Sequence, residues 1–227
     1  MSLKPGLHIE SSSLEALRLF PLPDTVLFPG TVLPLHIFEP RYRAMVEDAL
    51  AGDRVVAIAM LLPGHEENAQ AIPSIHPVVG VGKITQVQRV KDGRYYLALQ
   101  GVGRARVLFE HEATCPFRVV RAEAMLDVQP AEEQDVTRAV NMLRTCLVRL
   151  LSRMPDRAET LSGVLEEITS PGVLADVLCA AALESADARQ AALGVTDVVA
   201  RLALATDAVA ELMLRTTADE TGSESVM

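Results

Sequence analysis

The spacing of apolar positions changes once along the chain. Up to about residue 127, short apolar runs are broken by Pro, Gly and Asp; beyond it, apolar residues recur at steps of three and four. Short, turn-bounded runs predict strands, and the longer period predicts helices that each bury one face. Leu19 to Arg43 reads as strand, tight turn, strand and helix start. Pro21, Pro23 and Asp24 break the first run, and Pro29-Gly30 marks a second turn. Val32 to Phe38 is extended but carries Pro34, which lacks the N–H of a ladder bond, so an edge strand or a bulge is expected. Glu39-Pro40 opens a helix with proline at its first position. Tyr42, Met45, Val46, Ala49 and Leu50 share one face, and Gly52-Asp53 ends it.

Arg54 to Leu62 is almost continuously apolar, as a buried central strand would be. Pro63 to Pro77 reads as a long polar loop. In V-V-G-V-G-K-I-T-Q-V, from Val78 to Val87, Gly80 and Gly82 suggest a kink, a bulge or a close backbone approach. No third glycine or helix start follows, which excludes a dinucleotide fingerprint. Lys91-Asp92-Gly93-Arg94 predicts a hairpin with a primed turn. Strands are expected at Tyr95–Leu99, Gly103–Phe109 and Phe117–Met125.

In the second half, Val136, Val140, Leu143, Leu147 and Leu150 line one helix face. Val198, Leu202, Ala205, Val209 and Leu212 line another. Asp156 with Glu159 suggests a capping box. Ser170-Pro171 is a cap followed by a first-turn proline, Gly194 closes a helix, and Thr196 is the expected cap of the last. The organisation is therefore α+β: a flexible lead-in over 1–14, a β-rich lobe over 15–127, a helical bundle over 128–215 and a disordered acidic tail over 216–227.

These motifs carry a resemblance. L-F-P-L-P-D-T-V-L-F-P-G-T-V-L-P-L-H-I-F-E-P-R-Y-R resembles the amino-terminal substrate-binding domain of the Lon protease family, most closely its free-standing bacterial versions. V-G-V-G-K-I and D-G-R-Y-Y-L-A-L-Q-G-V-G-R-A-R-V are similar to further segments of that domain. So are S-P-G-V-L-A-D, Gln190, Leu193, Asp197-Val198 and Arg201-Leu202 in the helical half. The resemblance spans roughly residues 15 to 215. It implies a PUA-like pseudo-barrel in the first lobe and recognition of unfolded or apolar polypeptide. It does not reach the family's ATPase or its Ser-Lys protease, so neither activity is expected.

The formal charge of −9 argues against an overall nucleic-acid binder. Lys83, Arg89, Lys91, Arg94, Arg104 and Arg106 are read as outward-facing strand residues. Cys115, Cys146 and Cys179 are odd in number and far apart, as reduced thiols in a reducing compartment would be. No run is long enough for a membrane span and no secretory leader is seen, so a cytoplasmic location is expected. No phosphate-binding loop, zinc spacing or G-x-S-x-G occurs, and no catalytic residue, metal or cofactor is expected. His36 is read as a core or rim residue with one hydrogen bond, His65-Glu66-Glu67 as a solvated loop, and Glu39 with Arg43 as a helical ion pair.

The function expected is that of a non-catalytic recognition module: an adaptor, a holdase or a regulator linked to proteolysis, with a protease or chaperone as further partner. Its candidate binding residues are Phe28, Phe38, Arg41 and Tyr42, with the Pro63–Pro77 loop as a rim; Phe28, Phe38 and Tyr42 suit a hydrophobic core equally well. The alternative, resting on fold analogy, is a PUA-like small-molecule or RNA-binding domain.

Overall fold

The computed structural model describes residues 9–64, 74–130, 132–153, 163 and 165–223. In chain order the first lobe holds α1 (Ser11–Glu15), β1 (Leu17–Leu22), β2 (Val32–Ile37), α2 (Pro40–Ala51), β3 (Val55–Met60), β4 (Val78–Arg89), β5 (Tyr95–Glu110) and β6 (Arg118–Ala124). The second holds α3 (Glu133–Leu151), α4 (Pro171–Ala182), α5 (Ala186–Leu193) and α6 (Val198–Ser223). Asp156, Glu159 and the His65-Glu66-Glu67 stretch lie outside the described residues.

The sheet order is β2-β5-β4-β3-β1-β6, and β6 also pairs with β5. Five strands therefore close a small barrel, and β2 hangs outside the ring. Closure is possible because β5 is long. Tyr95 to Gln100 carry β2, and Ala105 to Glu110 carry β6. The sequence suggested two strands here. Gly101 and Gly103 instead let one strand bend through a register shift opposite Val81 and Gly82. β1 and β3 are parallel and the other pairs antiparallel.

All six residues of β3 are buried. Val56 and Ile58 pack with Tyr42, Met45, Val46 and Ala49 of α2, while Val55, Ala57 and Ala59 face a second cluster with Val79, Val81 and Val120. Both faces are covered, which is why this strand is unbroken in its apolarity. The Lys91–Arg94 hairpin forms, but only Gly93 is left-handed (φ 84°). The N–H of Gly93 donates to Val90 O and that of Val90 to Arg94 O, so the turn needs one positive φ rather than the two of a primed turn.

The second lobe buries the expected faces: Leu143, Leu147 and Leu150 of α3 meet Val198, Leu202, Ala205 and Val209 of α6. Ser170 Oγ accepts from the N–H of Val173 at 3.4 Å, capping α4. Asp197, not Thr196, caps α6: its Oδ1 accepts from the N–H of Ala200 at 2.8 Å. The helix α6 runs on to Ser223.

Two features join the lobes. The first is the turn after β1. Leu27 belongs to the core under α2, whereas the adjacent Phe28 is fully buried in the helical lobe's core. A Cβ at Gly80 would lie 2.0 Å from Leu27 O, one at Gly101 2.0 Å from Phe28 O, and one at Gly30 2.5 Å from Val173 Cγ1. These glycines let the turn wedge between barrel and helices.

The second is a buried charge network. Arg104 donates to Asp176 Oδ2 at 2.5 Å and to the carbonyls of Leu193 and Val195. Arg201 lies 2.9 Å from Asp176 Oδ1 and donates to both carboxylate oxygens of Asp127. Gln190 donates to Val78 O at 2.8 Å. Burial, opposed by the two guanidiniums, lifts the Asp176 carboxyl to about 6. Arg104 is thus an interior residue, not an outward-facing one. The Cys179 thiol, buried beside this network, is pushed up to about 12.

Candidate functional site

Among the described residues the strand β2 ends the sheet and pairs with β5 alone. Its residues alternate. Leu33, Leu35 and Ile37 turn toward the α2 core, and Val32, Pro34 and His36 turn outward. Val32 is 55% and Phe38 60% exposed, and Tyr96, directly opposite His36 on β5, is 49% exposed. The His36 ring stacks on Tyr96 at 4.5 Å between centroids and meets Phe38 at 5.8 Å. His36 is therefore an exposed member of an aromatic group rather than a core residue. Outward positions of the neighbouring β4 are polar, among them Gln86 and Gln88. On this face the apolar groups form a stripe from Val32 through Pro34 and His36 to Phe38, with Tyr96 of β5 beside it. Exposed apolar surface gathered this way marks an interaction site more often than scattered residues do.

Phe38 and Glu39 lead straight into α2. There Arg41 and Tyr42 line a second feature, a cleft of about 230 Å³ walled by Leu22, Leu61 and Phe117. Tyr42 is largely buried and packs on Phe20 at 4.3 Å between centroids. Burial raises its phenol above the ordinary value. The guanidinium of Arg41 lies 4.5 Å over the Tyr42 ring and pairs with Glu39. Glu39 thus pairs with Arg41, and Arg43 instead reaches the carbonyl of Asp92.

The four residues singled out from sequence divide. Phe38 stands on the exposed stripe, and Arg41 and Tyr42 line the adjoining cleft. Phe28 is 0% exposed and lies in the core of the helical lobe, so its ring is not on the surface with the other three but joins the lobes. The stripe's other members, Val32, Pro34, His36 and Tyr96, were not foreseen. The signal was the two-residue alternation of β2, which places a proline and a histidine on one face and three aliphatic residues on the other.

Among the described residues no group of His, Cys, Asp or Glu is arranged to hold a metal ion. Three of the barrel's basic side chains are paired with acids: Arg94 with Asp92, Arg89 at 3.7 Å from Glu47 and Arg106 at 3.7 Å from Glu123. No described helix is long and apolar enough to cross a membrane.

A closed five-stranded barrel with an added edge strand, keyed to a helical bundle, defines an α+β domain. Residues 16–211 match the family described as the ATP-dependent protease La (LON) substrate-binding domain, and the chain belongs to that family. It is 28% identical over 200 residues to Lon protease 2 of Myxococcus xanthus, covering 88% of this chain and 24% of that protein. It is 30% identical over 180 residues to Lon protease of Desulfovibrio desulfuricans, covering 78% and 20%. The chain spans about a quarter of the length of the curated relatives it matches. The N-terminal domain of Mycobacterium avium complex Lon protease superposes with a TM-score of 0.65 at 22% identity, over 86% of this chain and 98% of that one. A Lon N-terminal domain protein from Xanthomonas campestris superposes at 0.54 and 22% identity, over 82% and 94%. These likenesses show the same fold.

Proposed function

We propose that the chain is a non-catalytic recognition module that binds exposed apolar stretches of unfolded polypeptide on the outer face of β2, and that it serves proteolysis as an adaptor, holdase or regulator. The observation that carries this reading is the contiguous stripe of Val32, Pro34 and His36 on the edge strand, Phe38 just beyond it and Tyr96 on the neighbouring β5. Flat aromatic surface beside a free sheet edge suits an extended chain, which offers side chains to the one and backbone to the other. The cleft at Arg41 and Tyr42 adds a side-chain pocket at the end of the stripe. Membership of a family named for substrate binding supports the assignment.

Titrating the protein into a fluorescent, unfolded, apolar-rich polypeptide and following anisotropy at low and high salt tests the proposal. Saturable binding that survives salt is expected, because the stripe is apolar. RNA binding would weaken steeply as salt rises. Absence of saturable binding at both salt levels contradicts the proposal.

A further inference from the structure

Backbone groups on the open side of β2 specify more than an apolar ligand. The N–H of Gly101 donates to Thr31 O at 2.8 Å, which sets the phase of the β2–β5 ladder. Residues 33, 35 and 37 then direct their backbone groups at β5, and residues 32, 34 and 36 direct theirs away. The opposite strand agrees: Ala98, the partner of Pro34, has its carbonyl turned toward β4, where it accepts from the Thr85 hydroxyl at 3.2 Å. The open edge therefore offers three acceptors, the carbonyls of Val32, Pro34 and His36, but only two donors, the N–H groups of Val32 and His36. Pro34 supplies the missing one.

From this pattern, and resting on the reading above, we propose that the ligand is held as an added β-strand: a foreign, extended segment of about five residues, apolar at alternate positions, whose three alternate N–H groups bond the carbonyls of Val32, Pro34 and His36. The side chains of those same alternate residues fall on the outer face beside Phe38 and Tyr96. The intervening residues face the other way and need no free N–H. A second copy of this chain is a poor occupant. Antiparallel pairing of two β2 strands through equivalent residues sets Pro34 against Pro34, where neither side has a donor. Proline on an edge guards against such self-pairing while leaving the carbonyls free for a strand that brings its own donors.

The test uses a labelled peptide with one Val-Thr-Val-Thr-Val segment between Gly-Ser flanks, and variants N-methylated at one backbone nitrogen at a time. Methylation at each Val is expected to weaken binding about tenfold, the order of one lost hydrogen bond. Methylation at either Thr is expected to change it by less than about twofold. In the protein, the amide hydrogens of Val32 and His36 should slow in exchange when peptide saturates. Equal tolerance or equal sensitivity at all five nitrogens, or unchanged exchange at both amides, overturns strand addition while leaving apolar recognition standing. Failure of this peptide where an unfolded apolar protein still binds also overturns strand addition alone. Failure of both overturns the functional reading itself.

Discussion

Arg104 on β5 and Asp176 on α4 form an ion pair of 2.5 Å across the seam between the lobes, with both side chains 2% exposed. Arg201 closes on the other carboxylate oxygen from within the protein, and Asp127, its side chain 32% exposed, closes on Arg201 from the surface. Loss of Arg104, Asp176 or Arg201 leaves a buried charge without its full compensation. Arg104→Met should lower the free energy of urea unfolding by about 3–5 kcal/mol. A loss below about 1 kcal/mol would show that the seam is held by apolar packing instead.

Gly101 has no room for a methyl group, since the carbonyl it would strike belongs to the backbone of Phe28. Gly101→Ala should cost about 1–3 kcal/mol in thermal or urea unfolding, the range for forced overpacking. Gly64, whose Cβ would meet nothing within 4 Å, lies at φ 82° and is a strained position of a different kind, so Gly163→Ala is the better control. It is helical, with open space and no positive φ, so the substitution should not destabilise and, by helix preference, should add up to about 1 kcal/mol.

Phe28 and Phe38 lie ten positions apart with opposite fates. Phe28→Ala removes a fully buried ring and should destabilise by about 3–5 kcal/mol. Phe38→Ser removes a ring that is 60% exposed and should leave stability within about 0.5 kcal/mol. Equal effects in a denaturant titration would contradict this division between core and surface.

Asp53 gives a pH-dependent contribution. Its burial raises the carboxyl, but hydrogen bonds from Ser13, the N–H of Val55 and Arg18 outweigh it and hold the group below 3.8. A depressed native value means that the unfolded chain binds the proton first. The contribution is therefore present above pH 3.8 and lost as pH falls through the lower native value. The stability gap between wild type and Asp53→Asn should be constant near neutrality and shrink over that acid range. A gap that widens on acidification contradicts the assignment.

Much of the fold was legible because local chemistry and tertiary position agree. Pro34 marks an edge, Gly80 a close approach, Arg54 to Leu62 a central strand and Ser170-Pro171 a helix start. What was not legible depended on contacts distant in sequence. Phe28 sits beside turn residues and suits a groove wall as well as a core, and only the helices that follow much later in the chain decide for the core. Arg104 looked like its neighbours Lys91 and Arg94 because nothing local reveals Asp176. The break expected near Gln100 was a bend, since β2, β4 and β6 all hold β5 in one strand. At the site, Phe38 and Arg41 were recognisable as candidates, but Tyr96 was not: Tyr95 and Tyr96 are distinguished only by which one the barrel's alternation turns inward.

The central claim is that the outer stripe of β2 binds polypeptide. Its most direct test compares the binding of one unfolded, apolar-rich polypeptide to wild type, Phe38→Ser and Tyr96→Ser by fluorescence anisotropy, with thermal melts confirming that all three are folded. Aromatic anchors at an interface commonly contribute more than 1 kcal/mol each, so affinity should fall by about tenfold in each variant while the melting temperature holds. Unchanged affinity in both folded variants would contradict the claim and place binding elsewhere on the molecule.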